Sequence, residues 1–162
     1  MNYTIRNAIL EDLPRIEEIY SYARKFMTDN GNPDQWGKVY PPRELLAADI
    51  AGSVLYVITE EEEIHGVFYF SLGKDPTYAE IFEGSWRSQE PYGTIHRIAG
   101  DGSGGVLKSA VDFAQQAISH LRIDTHRDNL VMQKALVKQG FKQRGIIYVE
   151  DGTERIAYDK LV

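Results

Sequence analysis

The sequence predicts one α+β domain of the mixed α/β kind, and three observations carry that expectation. At 162 residues the chain is long enough to bury about two-thirds of its unfolded surface around one core. Its apolar residues switch between a spacing of two and a spacing of three to four, which gives the order β-α-α-β-β-(β)-β-α-β-α-β-β. No repeat, low-complexity tract or linker interrupts it, so residues 1–162 read as a single domain.

Tyr3–Ala8 alternates and reads as a first strand. Leu13, Ile16, Ile19, Tyr20, Ala23, Phe26 and Met27 form a helical stripe, and Pro14 suits a first turn, so a helix is placed at 11–28. Asp29-Asn30-Gly31-Asn32-Pro33-Asp34 is dense turn chemistry that ends it. A loop containing Trp36 and Tyr40 covers Gln35–Pro42, and a short helix at 43–51 puts Leu45, Leu46 and Ile50 on one face. Val54–Thr59 and Ile64–Leu72 form a hairpin around the acidic Glu60–Glu63, a solvated turn. Tyr78–Phe82 is the bracketed strand of the order above, and Trp86 stands among polar residues. Thr94–Ala99 is a strand, and Val106, Leu107, Ala110, Val111, Ala114 and Ile118 make an amphipathic helix. A short strand at Leu121–Asp124, a helix at Asn129–Gln139 stopped by Gly140, and strands at Phe141–Tyr148 and Glu154–Asp159 complete the chain.

Composition removes several function classes. With no cysteine there is no disulfide framework, zinc-thiolate site or cysteine nucleophile, which fits a reducing compartment. Met1–Asn7 lacks the basic start and apolar core of a signal peptide, and no apolar run approaches the roughly 20 residues of a membrane span. A cytoplasmic protein is therefore expected, with no membrane partner. The net charge of −6 repels a phosphate backbone, so no nucleic acid partner is expected, while cationic small molecules are mildly favoured. There is no HExxH, no carboxylate–histidine group with metal spacing and no G-x-S-x-G elbow, so no metal is expected.

The chemical signal is Gly100-Asp101-Gly102-Ser103-Gly104-Gly105, which follows a strand and opens a helix. A helix start offers unpaired N–H groups and a positive partial charge, and glycines let a phosphate approach. Gly100, Gly102 and Gly105 also satisfy G-x-G-x-x-G, with Asp124 near the distance of a ribose-binding carboxylate. A dinucleotide domain normally begins at that fingerprint, whereas here about 100 residues of mixed structure precede it. A turn without ligand is the third reading.

The C-terminal half resembles the GCN5-related N-acetyltransferase (GNAT) superfamily. Thr94–Ala117 is similar to that family's coenzyme-binding strand, loop and helix. Leu121-Arg122-Ile123-Asp124, Asn129-Leu130-Val131-Met132-Gln133 and Lys138-Gln139-Gly140-Phe141 look like its strand, asparagine-led helix and closing K-x-G-F. Ile5-Arg6-Asn7-Ala8 with Glu11-Asp12-Leu13-Pro14 is like its opening. The resemblance implies a central mixed, splayed β-sheet flanked by helices, with acetyl-CoA as cosubstrate inserted between strands 94–99 and 120–124. The pyrophosphate would rest on amides from Gly100, Gly102, Ser103, Gly104, Gly105, Val106, Leu107 and Lys108. Ile98 and Ala99 would bond the pantetheine. Asn129 would touch the coenzyme or brace the adjoining strand, and Gln133 belongs to the same group. A homodimer is implied on the same ground.

Two departures stand out. The family loop reads Q/R-x-x-G-x-G/A, and that register puts Gly102 at the basic or amide position and Leu107 at the last small one. Lys108 is the available charge. The position of a tyrosine acid in many relatives holds Leu136; a CoA thiol is acidic enough to leave as an anion.

Direct transfer needs a neutral amine at the thioester carbonyl and benefits from a general base. His96, mid-strand beside Arg97, and His126, after Asp124-Thr125, are the catalytic candidates; a structural histidine is the alternative for each. Strict alternation puts His96 and Arg97 on opposite faces, so only one faces the acceptor. His65 and His120 read as surface residues. Trp36, Tyr40 and Trp86 are either an aromatic wall for an amine or edge packing. Asp124, Tyr148 and Glu150 are assigned to the acceptor pocket, against cross-strand packing and a solvated charge. The expected function is acetyl-CoA-dependent N-acetyl transfer (or short acyl transfer) to a small-molecule or peptide amine in a ternary complex. The alternatives are a non-catalytic acyl-CoA-binding module and, more remotely, a nucleotide-cofactor oxidoreductase.

Overall fold

A computed structural model describes residues 2–161. Strand β1 (Thr4–Asn7) leads through a single 3-10 turn to helix α1 (Leu13–Asp29), and a long loop precedes α2 (Arg43–Ala51). Strands β2 (Leu55–Glu60) and β3 (Glu63–Leu72) form the expected hairpin, and β4 (Gly93–Gly100) runs into the glycine loop and α3 (Val106–Ala117). Then follow β5 (Leu121–Thr125), α4 (Leu130–Lys138), β6 (Lys142–Tyr148) and β7 (Glu154–Lys160).

All seven strands join one sheet in the order β1-β2-β3-β4-β5-β7-β6. Every pairing is antiparallel except β4 with β5, which is parallel. That pairing consists of Gly93 with Leu121 and Thr94 with Arg122. Beyond it the two strands part, and the sheet is splayed as expected.

Alternation along the strands fills a core on each face. On one face α3 and α4 bury Ala110, Val111, Ala114 and Leu136 against Phe68, Phe70, Ile95 and Ile123. On the other, α1 and α2 bury Ile16, Ile19, Tyr20 and Leu46 against Leu55, Val57, Val67 and Ala99. The α1 stripe is shorter than its sequence suggests, since Phe26 is exposed and stacks on Tyr22.

The bracketed strand at Tyr78–Phe82 is corrected. Asp75 accepts hydrogen bonds from the Thr77 N–H and hydroxyl, Pro76 follows it, and the chain turns through a 3-10 helix at Pro76–Tyr78. A side-chain cap and a proline in first position start a helical turn. Only Phe82 contributes a bridge, to Ile146. Trp86 takes the packing alternative. It is buried against Tyr78, donates Nε1–H to the Tyr78 carbonyl and covers the Arg122 guanidinium at 4.0 Å.

Candidate active site

The site begins where β4 leaves β5. Between Val67 and Tyr69 of β3 the register of β4 slips by one residue, from Ala99 to His96. Arg97 takes up that extra residue with φ of +51°, a left-handed conformation worth roughly 1–2 kcal/mol of strain outside glycine. Two contacts hold it. Tyr20 donates its hydroxyl to the Arg97 carbonyl at 2.6 Å, and Arg97 Nη2 meets Asp49 Oδ2 of α2 at 2.6 Å. Burial works against the Arg97 charge, but Asp49 outweighs it and holds the guanidinium firmly protonated.

This bulge overturns the expectation that His96 and Arg97 face opposite ways. Both lie against Tyr69, the His96 ring 5.5 Å from its centroid and the Arg97 guanidinium 4.7 Å above it. A bulge breaks the two-residue alternation locally, which brings consecutive side chains to one face.

Around His96 the structure gathers groups that are distant in sequence. Nε2 lies 2.8 Å from Asp75 Oδ2, and Nδ1 lies 3.8 Å from Asp124 Oδ2 across the split. Tyr78 donates its hydroxyl to Asp124 Oδ2 at 2.7 Å. Burial opposes ionisation of Asp75, but hydrogen bonds from His96 and Thr77 prevail and lower its carboxyl to about 2. Burial, reinforced by Asp124, pushes the Tyr78 hydroxyl well above its ordinary value, so it stays a donor. Sequence reasoning missed Asp75 and Tyr78. The Asp75-Pro76-Thr77 capping signature was the available signal for the first.

The glycine loop leaves the same strand end. Gly102, Gly104 and Gly105 have φ of +92°, +89° and +73° and are exposed. Ser109 N–H to the Gly105 carbonyl is the first α3 bond, so the amides of Val106, Leu107 and Lys108 have no partner among the described residues. Free amides on a bare helix start suit a pyrophosphate. Lys108 instead pairs with Asp112 at 2.7 Å. Asp101 is occupied as well: its Oδ2 takes Arg15 Nη2 at 2.9 Å and His65 Nδ1 at 2.8 Å, while Oδ1 accepts the Ser103 N–H. His65 is thus a mostly buried member of the loop rather than a surface residue. Tyr3 adds a hydroxyl to the Gly104 carbonyl at 2.8 Å.

The remaining expected residues divide. Asn129 caps α4 through the Met132 N–H and donates to Gln35 at 3.0 Å, which ties the loop after α1 to α4. Gln133 donates to the His126 and Arg127 carbonyls. His126 accepts the Asp128 N–H on Nδ1, and burial with help from Arg155 lowers its basicity; these are loop-bracing contacts. Trp36 packs on Tyr20 and on Tyr40, whose hydroxyl reaches Arg97. Tyr148 meets Phe82 edge-to-face at the exposed β6 edge, and Glu150 is exposed in the turn; neither meets the His96 cluster. His120 is corrected from surface to buried, set edge-on against Tyr92. A groove of about 580 Å³ lies elsewhere, against Tyr56, Phe70 and Phe113, and its lining offers no acid, base or cation.

No protein-family model matches the chain, and no curated protein matches it significantly. Solved structures do. A GNAT-family acetyltransferase from Streptococcus agalactiae is 28% identical, with 99% of this chain and 95% of that one covered at a TM-score of 0.85. A GNAT-family acetyltransferase from Listeria monocytogenes is 16% identical, with 99% and 95% covered at 0.70. N-acetylglutamate synthase from Neisseria gonorrhoeae, solved with coenzyme A and N-acetyl-glutamate, is 15% identical; 99% of this chain matches 35% of that one at 0.59. The last two speak for the fold alone. The element order, the parted parallel pair and the match along nearly all of a GNAT acetyltransferase give this chain the fold of the GCN5-related N-acetyltransferase (GNAT) superfamily, which it resembles from end to end.

Proposed function

We propose that this protein is an acetyl-CoA-dependent N-acetyltransferase that moves an acetyl (or short acyl) group to an amine by direct attack in a ternary complex. The observation that carries the reading is the parting of β4 from β5 after Thr94 and Arg122, with a bare α3 start at the end of the same strand. The coenzyme would supply a thioester carbonyl. The exposed glycine loop and the amides of Val106, Leu107 and Lys108 fit its pyrophosphate, and the edge of β4 from Ile98 to Ala99 fits its pantetheine arm. The bound coenzymes named for relatives, coenzyme A in the gonococcal synthase and acetyl-CoA in a Salmonella typhimurium acetyltransferase, support the same choice.

His96 is the general base in this reading. It stands on β4 beside the split, and Asp124 opposite it favours an ammonium acceptor. One proton passes from the ammonium to His96 Nδ1. The freed lone pair forms the N–C bond while the C–S bond breaks, and the second amine proton neutralises the departing thiolate. A cationic amine, from a small molecule or a peptide, is the acceptor class, and the site asks for no metal. A cytoplasmic location and a homodimer belong to the same proposal.

Thiol release from acetyl-CoA across an amine panel tests it. Amine-dependent release is expected. Tight coenzyme binding with no release for any amine would replace the enzyme with a non-catalytic acyl-CoA-binding module.

A further inference from the structure

We propose that Asp75, in the turn after β3, is the positioning residue that sets the His96 tautomer, keeping the proton on Nε2 and the lone pair on Nδ1. The inference rests on the reading of His96 as the base. Its geometry is independent of that reading.

An ionised carboxylate only accepts hydrogen bonds, so the 2.8 Å contact between Asp75 Oδ2 and His96 Nε2 requires the proton to sit on Nε2. Asp75 is held to this task from both sides. Its Oδ1 takes the Thr77 N–H at 2.9 Å and the Thr77 hydroxyl at 2.6 Å, and its own N–H donates to Tyr92 at 2.8 Å. Oδ2 is left for His96 alone. The groups facing the ring are Asp75 from the turn, Asp124 from β5, Tyr78 from the 3-10 helix and Tyr69 from β3, with Arg97 beyond Tyr69. Only the first makes a hydrogen bond to the ring. A histidine whose far nitrogen is fixed by a carboxylate presents a single basic nitrogen in a defined direction. Here that nitrogen, Nδ1, points toward Asp124 across the split, where an amine would be received.

Asp75→Asn is the informative change. The amide oxygen can keep the Thr77 bonds, while the amide nitrogen donates to Nε2 and drives the proton to Nδ1, removing the lone pair. A carboxylate-to-amide change of this kind in a tautomer-setting position lowers turnover by about 10²- to 10⁴-fold. Histidine-labelled ¹⁵N NMR of the wild type needs no activity and no variant: the expected signature is a protonated Nε2 and an unprotonated Nδ1 on His96. In Asp75→Asn the two signals should exchange roles, kcat should fall at least about a hundredfold, and KM for acetyl-CoA should stay within about twofold, since the coenzyme loop is untouched. A protonated Nδ1 in the wild type, or wild-type kcat in Asp75→Asn, would overturn the assignment. Loss of acetyl-CoA binding in the wild type would instead strike the functional reading and leave the tautomer result standing.

Discussion

The two halves of the candidate site are built on opposite principles. The coenzyme half is local and mostly backbone: one strand end, six consecutive residues and one helix start, Gly100 to Gly105 followed by Val106. The acceptor half is made of side chains gathered from distant places: Asp49 from α2, Asp75 and Tyr78 from the turn after β3, His96 and Arg97 from β4, Asp124 from β5. A backbone site is marked by glycines because it needs positive φ and close approach. A side-chain site assembled across the sheet has no single continuous stretch of sequence that marks it as a whole. On the proposed reading, chemistry common to many acceptors sits in the first half and chemistry particular to one acceptor in the second.

The largest expected effect separates the halves. Asp49→Ala leaves the Arg97 guanidinium without its partner, with both side chains about 10–13% exposed. Breaking a buried pair by removing one member destabilises by about 3–5 kcal/mol. Urea unfolding should show that loss, while acetyl-CoA should still raise the unfolding temperature of whatever remains folded. If the coenzyme response vanished together with stability at Asp49, the halves would not be separable.

Gly105→Asp attacks the other half. It puts a carboxylate on the α3 start and a side chain at φ of +73°. Acetyl-CoA affinity should fall by about tenfold or more, from charge repulsion and about 1–2 kcal/mol of backbone strain. Calorimetric titration reads this directly, and unchanged affinity would place the pyrophosphate elsewhere.

The third effect is a pH dependence of the acceptor half. The folded Asp75 carboxyl titrates at about 2, below its ordinary 3.8. Its contribution is therefore complete above the higher value and is lost as pH falls toward the lower one. After allowance for solvent screening it amounts to about 1–2 kcal/mol. Urea unfolding at about pH 5 and about pH 2.5 should show this loss in the wild type, and Asp75→Asn should lose less over the same interval. Equal losses would mean that Asp75 is not held ionised by His96 and Thr77.

The smallest effect is Tyr3→Phe. It deletes a hydroxyl bond to the Gly104 carbonyl at an exposed position, worth about 0.5–1 kcal/mol at most. A drop in coenzyme affinity of no more than about threefold is expected.

Most elements were visible in the sequence because their signals are local. Helix α2 falls where the apolar face of Leu45, Leu46 and Ile50 puts it, and Asn129 caps α4 as its place before an apolar run suggests. The errors share a physical cause. Tyr78–Phe82 has β-forming residues, but the Asp75 cap and Pro76 commit the chain to a turn before they can pair. Trp86 sits among polar neighbours in sequence yet is buried by Tyr78 and by Arg122, which arrives from β5. The bulge at Arg97 has no glycine to announce it, because tertiary contacts from Tyr20 and Asp49 hold the left-handed conformation. His65 reads as a surface residue, and only the fold sets it against Asp101.

Thermal unfolding with and without acetyl-CoA, with NADH and ATP as controls, tests the central claim most directly. A ligand at 100 times its dissociation constant adds about 2.7 kcal/mol, a rise of a few degrees for a chain of this size. The account predicts that rise with acetyl-CoA alone. A folded protein that ignores acetyl-CoA, or that responds to NADH instead, would contradict it.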